Sequence, residues 1–153
     1  MLTADERANL LEIVLSQQYL FYRIDEEEMD SLFTRSFGSL IISAIIAKDA
    51  SDRLLQTNQL EVTINKMIEY AQREKDRRGV IDTKAWAHSV AHTADALGAC
   101  AQHPSTTIAQ QESILQTIFH LANLPFPFMQ HEDDRLAYTG LRLAQRDKFY
   151  HVD

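Results

Sequence analysis

The stretch Glu74-Lys75-Asp76-Arg77-Arg78-Gly79-Val80-Ile81-Asp82-Thr83-Lys84-Ala85-Trp86-Ala87-His88-Ser89-Val90-Ala91-His92-Thr93-Ala94-Asp95 decides how this chain is read. It holds the end of one helix, a short turn around Gly79 and the first half of the next helix. It also carries the densest group of side chains capable of chemistry. In the second helix His88 and His92 stand at i and i+4, and Asp95 follows at i+7. At about 100° per residue these three project within roughly 60° of one another. Trp86, Val90, Ala94, Leu97 and Ala101 fall on the opposite side. The pattern predicts an apolar back anchored by Trp86 and an imidazole–carboxylate front. Ala87, Ala91 and Ala99 flank that front, and side chains this small let another group approach closely.

Working outward, the residues before Gly79 continue a helix over about 59–77, with Val62, Ile64, Met67, Ile68 and Ala71 as its stripe. Glu74 and Arg78 would pair at i, i+4 in its last turn, and Gly79 suits a left-handed C′ position. Asp82 or Thr83 is placed to cap the following helix, over about 84–102. The helix upstream, over about 29–48, is apolar nearly all round, reading Leu32, Phe33, Phe37, Leu40, Ile41, Ala44 and Ile45. Such a helix is buried on more than one side. Arg35, between Phe33 and Phe37, has two readings: a surface arginine that snorkels, or a buried one held by a carboxylate. Residues 49–52 read as a polar loop. A first helix spans about 4–22, capped by Thr3 or Asp5 with Glu6 in its first turn.

Downstream, His103-Pro104-Ser105 ends the fourth helix and caps a fifth over about 106–122. Pro125 and Pro127, alternating with Phe126 and Phe128, force an extended connector whose phenylalanines plug the core. A sixth helix over about 132–146 opens on Glu132, Asp133 and Asp134, carboxylates suited to a helix N-terminus. The tail, 147–153, is polar and aromatic and is expected to fray. No segment reads as a strand. Six helices with short connections predict three antiparallel hairpins in one all-α domain over residues 1–153. A HEAT-like α-α superhelix fits this best, since each hairpin pair spans about 45 residues. A closed helical bundle is the alternative.

The length, 153 residues with 45% apolar and 24% charged, suits a single core. A net charge of −7 argues against nucleic acid as a partner, because phosphate recognition needs a basic surface. With Cys100 as the one cysteine there is no internal disulfide, and its alanine-rich surroundings mark it as a small core residue. No basic-then-apolar leader opens the chain, and the longest apolar run, residues 40–47, is too short to span a bilayer. The cytoplasm is the expected compartment, with no membrane partner.

Three blocks carry a resemblance. They are Arg35-Ser36-Phe37 after Leu32-Phe33; Glu74 to Gly79 with Trp86 to Asp95; and His131-Glu132-Asp133-Asp134-Arg135-Leu136-Ala137. In this order the chain, over about residues 20–146, resembles a family of uncharacterised bacterial proteins, a domain of unknown function. The resemblance implies an all-α, solenoid-like, cytoplasmic bacterial protein and no particular activity. Members of that family are longer at the N-terminus, so it also implies a shortened member or a fragment. A missing N-terminal portion would leave an apolar flank that favours a homodimer or a partner chain.

The front of the central helix supports three chemistries. His88 and His92 with Asp95 could bind one divalent metal, with His103, His131 or Glu132 adding a ligand or an open position holding an acidified water. Ser89 stands where a zincin has its glutamate, so protease chemistry of that kind is not expected. Alternatively His88, His92 and Asp95 line a polar cleft with Glu74, Asp76, Arg78 and Arg35, with Glu132 as an addition, for a small polar ligand or a peptide terminus. In the third reading the same groups only pin one hairpin to the next. Binding or scaffolding, with a protein or peptide partner, is favoured over a metal-dependent hydrolase.

Overall fold

The computed structural model describes residues 2–81 and 85–146, the Ala85 side chain excepted. Among these residues there are six helices and one short β-ribbon. The expected caps at Asp82 or Thr83 and the fraying of 147–153 lie outside the described residues.

Helix α1 (Ala4–Val14) opens on a capping box: the Thr3 hydroxyl accepts from the Glu6 N–H, and the Glu6 carboxylate accepts from the Thr3 N–H at 2.8 Å. It ends eight residues before the expected position. The Ser16 hydroxyl takes the Gln18 N–H at 3.1 Å, the local side-chain bond by which serine competes with a helix. The Leu15 carbonyl is taken by the Lys66 ammonium at 3.1 Å. Residues 15–25 then wind through turns that bury Leu20, Phe21 and Ile24.

Helix α2 (Ser31–Asp52) runs four residues past the expected end, so residues 49–52 are its last turn and not a loop. The cause is Asp49, which is fully buried and accepts from Arg7 at 2.8 Å and from the Leu54 and Leu55 N–H groups at 3.1 and 3.2 Å. Arg53, left-handed at φ 55°, stops the helix. By length and composition α2 could cross a bilayer, with mean hydropathy 1.2 over its best window; in this fold half of that window is buried.

Helix α3 (Thr57–Arg73) ends four residues early, because Glu74 turns extended at φ −66°, ψ 112°. Glu74 and Arg78 are therefore not partners in a last helical turn. Gly79 is not a left-handed cap either: no described glycine has a positive φ. Strands β1 (Val80–Ile81) and β2 (Ala85–Trp86) follow, antiparallel, with Val80 opposite Trp86. This ribbon replaces the first turn expected of the fourth helix. It is closed at its open end by the Gly79 carbonyl, which accepts from the Ala87 and His88 N–H groups at 2.7 and 3.0 Å.

Helices α4 (Ser89–Gln102), α5 (Ile108–Ala122) and α6 (Glu132–Ala144) complete the chain. The cap of α5 is Thr107, boxed with Gln110, and not the His103–Ser105 segment. Phe126 and Phe128 are half-buried and touch edge to face at 6.0 Å; Phe128 packs on the core.

Helix α4 is the shared neighbour: it packs against α2, α3, α5 and α6. Val90, Ala94, Leu97 and Ala101 form its buried back, as the periodicity predicts. Helices α2 and α4 run parallel, since Ser36 meets His92 near their starts and Asp49 meets His103 near their ends. Helix α6 runs the same way, its Arg135 reaching Asp95 and its Arg142 carbonyl reaching Gln102. Gly98 admits α6 closely; a Cβ there would stand 3.1 Å from the Thr139 hydroxyl.

Candidate functional site

The residues singled out in the sequence fall into two groups with different surroundings, plus four satellites. The first group is a buried ion-pair cluster. Arg35 is fully buried, its guanidinium forked onto Glu74 by bonds of 2.6 Å from Nε and 3.0 Å from a terminal nitrogen. The remaining donors take the carbonyls of Tyr22, Arg23 and Glu26 at 3.1, 3.0 and 3.3 Å. Glu74 also accepts from the Tyr70 hydroxyl at 3.1 Å and from the Asp76 N–H at 3.0 Å. Burial, then the Glu74 charge beside it, raises the Tyr70 phenol well above its ordinary range, so it stays a donor. The Asp76 carboxylate holds Arg78 at 2.8 and 2.6 Å and caps the Glu28 N–H at 2.8 Å, and its carbonyl takes the Ser89 hydroxyl at 2.9 Å. Of the two readings of Arg35, the buried, carboxylate-held one is correct. Every one of these four groups is spent on protein partners.

The second group lies on the surface where α2 meets the start of α4. Here the sequence expectation needs correction. His88 is not within the helix; it is the N-cap of α4, left-handed at φ 47°, ψ 40°. Trp86 is not an anchor of the apolar back. It sits on β2, 54% exposed, because the ribbon turns it outward. The rings nevertheless meet. Trp86 stacks on His88 at 4.7 Å and 22°, His88 lies 5.9 Å from His92, and His92 meets Phe37 edge-on at 5.5 Å. Phe37 is itself 44% exposed, with Ile41 one turn on at 41%. The result is a row of four rings, Trp86–His88–His92–Phe37, that the periodicity of α4 alone did not reveal.

Hydrogen bonding sets the proton on one of the two imidazoles, His92. The single hydroxyl hydrogen of Ser36 goes to the Ala87 carbonyl, which can only accept. The Ser36 oxygen, 2.9 Å from His92 Nδ1, therefore accepts from Nδ1–H. His92 Nε2 is left with a bare lone pair. His88 Nδ1 is buried without a partner. Burial, then the neighbouring His88, lowers the His92 pKa and favours the neutral ring.

The satellites stand apart. Asp95 is held by Arg135 of α6, both oxygens within 2.8 and 2.9 Å of one guanidinium nitrogen. Glu132, 1% exposed, accepts the Gln130 N–H at 2.8 Å and lies against Gly79, where a Cβ would collide with it and with Gln130. His131 caps α6, left-handed like His88, and pairs with Asp134 at 2.9 Å on the surface. His103 lies at the far end of α4, 3.3 Å from Asp49 in a buried network with Arg7. That network was not foreseen; its one signal was an aspartate at the end of an otherwise apolar helix. Among the described residues no three His, Cys, Asp or Glu side chains converge as a ligand set for a metal. Burial pushes the Cys100 thiol up to about 12, as befits a core residue.

Further along α2 and α4 an open groove of about 510 Å³ runs between α2, α4 and α6. Ser43, Ala47, Gly98 and Ala99 form its floor, and Tyr138 and Arg142 stand along its α6 side. A second open groove of similar size, almost wholly apolar, lies over α5 and α6 around Phe119 and Leu141.

The fold and site thus define an all-helical protein in which Arg35, Glu74, Asp76 and Arg78 bond to one another and to neighbouring groups of the chain, while the aromatic rings of Trp86 and Phe37 stand exposed beside two imidazoles. Residues 20–153 match the family described as a protein of unknown function, DUF2785. The chain belongs to that family. No curated protein and no solved structure matches it.

Proposed function

We propose that this protein is a helical-repeat binding or scaffold protein that receives an extended segment of a protein partner along its α2–α4–α6 face. The observation that carries the reading is the row of rings Phe37, His92, His88 and Trp86, with Phe37 and Trp86 exposed at its two ends. The groove floored by Ala47, Gly98 and Ala99 is built on the same two helices, α2 and α4. Exposed large rings beside a shallow groove are what interface hot spots are made of. Three parallel helices, one from each successive hairpin, favour a HEAT-like α-α superhelix over a closed bundle, and such stacks use elongated surfaces for binding. The lone buried cysteine and the absence of any disulfide partner favour a cytoplasmic setting.

The hydrolase alternative has less support. Its third ligand, Asp95, is engaged by Arg135, and among the described residues no three His, Cys, Asp or Glu side chains converge on one point.

The test is selection of random dodecapeptides on the wild-type protein, followed by amide hydrogen exchange on the complexes. Protection is expected on α2, the 86–92 segment and α6. Binding is expected to fall at least tenfold in the Phe37→Ala/Trp86→Ala double variant, with the fold intact by circular dichroism. Selected peptides that bind the double variant undiminished, or protect only the α5–α6 groove, overturn the reading.

A further inference from the structure

We infer that the apolar groove over α5 and α6 receives an amphipathic helix of a partner protein, one with a lysine or arginine at each end of its apolar stripe. This groove shares no lining residue with the groove of the α2–α4–α6 face, and the inference does not rest on the reading of that face.

Leu115, Phe119 and Ala122 of α5 and Ala137, Leu141 and Ala144 of α6 line an open trough of about 510 Å³. Phe119 is 60% exposed and Leu141 56%. Helix α6 runs parallel to α4, and residues 103–107 are too few to carry α5 back to the start of α4, so α5 is antiparallel to α6. A trough between two antiparallel helices is where a third helix packs, ridges into grooves.

Hydrogen bonding selects a helix over an extended chain. Asp133 is the one polar side chain that lines the trough among the described residues, and the backbone of α5 and α6 is spent on its own turns. An extended segment would bury N–H and C=O groups against a wall that offers no partner. A helix arrives with its backbone bonds already made.

Charge selects a basic helix. Asp133, in the first turn of α6, lies at the end of the trough where Ala122 closes α5. Glu112, exposed one turn before Leu115 on the same stripe of α5, stands at the other end. Neither has an ion pair among the described residues. No described lysine or arginine lines the trough: Arg142 lies over Tyr138, and Arg146 reaches the Ala101 and His103 carbonyls. A second copy of the chain would set these carboxylates against one another. An anionic membrane surface would meet the same two charges on a chain of net charge −7. The helical rise from 112 to 122 spaces the two ends roughly 15 Å apart, so the matching cations stand about three turns apart, with apolar anchors between them.

The probe is a synthetic helix of about 18 residues, stapled on its outer side because a free helix of that length is marginal in water. It carries leucines at helical spacing between two lysines roughly eleven residues apart. Fluorescence anisotropy on the full chain is expected to show saturable binding. That binding is expected to fall at least about tenfold in the Phe119→Ala/Leu141→Ala variant, whose exposed substitutions leave the fold intact by circular dichroism. Glu112→Gln/Asp133→Asn is expected to weaken it by roughly threefold to tenfold and to remove most of its salt dependence. Exchanging the two lysines of the probe for glutamates is expected to cost a similar factor on the wild type. The Phe37→Ala/Trp86→Ala variant is expected to bind the probe unchanged. Absent binding, equal binding of the lysine and glutamate probes, or binding lost with Phe37 and Trp86 overturns the inference. So does a wild-type dimer in sedimentation equilibrium that Phe119→Ala/Leu141→Ala dissociates, since a second copy then covers the trough. Flotation with phosphatidylglycerol vesicles that the same variant abolishes overturns it in favour of a membrane. The reading of the α2–α4–α6 face stands or falls separately, on peptides scored against Phe37 and Trp86.

Discussion

Arg35 of α2 and Glu74, just beyond α3, are joined by two side-by-side bonds of 2.6 and 3.0 Å across 39 residues of sequence. The same guanidinium ties down three carbonyls of the turn that follows α1. One side chain therefore fixes the positions of α2, of the segment that leads to the ribbon, and of the N-terminal turns. Truncating Glu74 to Ala leaves a buried cation without its counter-ion, which is expected to cost about 3–5 kcal/mol by urea unfolding. Arg35→Lys is expected to be nearly as harmful, because an ammonium cannot replace the fork and the carbonyl contacts together. A Glu74→Ala protein that unfolds at the wild-type midpoint would show the pair to be incidental.

Gly79 lies where β1, the Gln130 side chain and the buried Glu132 crowd together. A methyl group there must push aside the ends of the Gln130 and Glu132 side chains, and the Glu132 carboxylate is buried, so Gly79→Ala is expected to lose about 1 kcal/mol. Because the glycine does not need a positive φ, the loss is steric. Trimming Gln130 to Ala in the same chain is expected to restore part of it, and a melting series on the three variants reads this directly.

Trp86 separates two descriptions of the central segment. A core tryptophan cut to Ala would cost about 3–5 kcal/mol. The exposed ring seen here predicts a change within about 0.5 kcal/mol, together with loss of peptide binding. Parallel denaturation and binding curves on Trp86→Ala distinguish the outcomes.

His92 supplies the pH dependence. Its folded pKa lies below the ordinary imidazole value, so the unfolded chain takes up the proton first as acid is added. Stability from this group is fully present above about pH 6.5, the unfolded imidazole value, and declines as the pH falls through the lower folded value. The charged and titratable groups around the ring are His88, Asp95 and Arg135, with Ser36 as its hydrogen-bond partner. A His92→Phe variant is expected to flatten the acid limb of the stability–pH curve.

The apolar periodicities were strong enough to place all six helices, and the carboxylate-rich start of α6 and the Thr3 cap were legible from local chemistry alone. What escaped the sequence depended on partners distant along the chain. Nothing near Glu74 says that a guanidinium 39 residues upstream will draw it out of α3. The run after Gly79 reads as helix on propensity, yet Val80 opposite Trp86 and the two N–H groups, of Ala87 and His88, that donate to the Gly79 carbonyl make it a ribbon. That displacement shifts Trp86 from the back to the front. His88 and His92 still approach one another, because the His88 carbonyl accepts the His92 N–H at 2.9 Å as a helix would have it. Asp95 was placed on the right face but assigned to the wrong company, as Arg135 lies 40 residues later.

Helix α4 touches four of the other five helices, and this has a bearing on synthesis. A nascent chain that has released only α1, α2 and α3 can close only part of its apolar surface: α1 packs on α2 and Phe21 meets Tyr70 edge-on, but the face of α2 and α3 that α4 covers stays open. Arg35 and Glu74 can meet by then, but the row of parallel helices cannot begin to assemble until Gln102 has left the ribosome. The protein is thus expected to remain protease-sensitive during translation until about two-thirds of it has emerged, and then to acquire resistance in a single step.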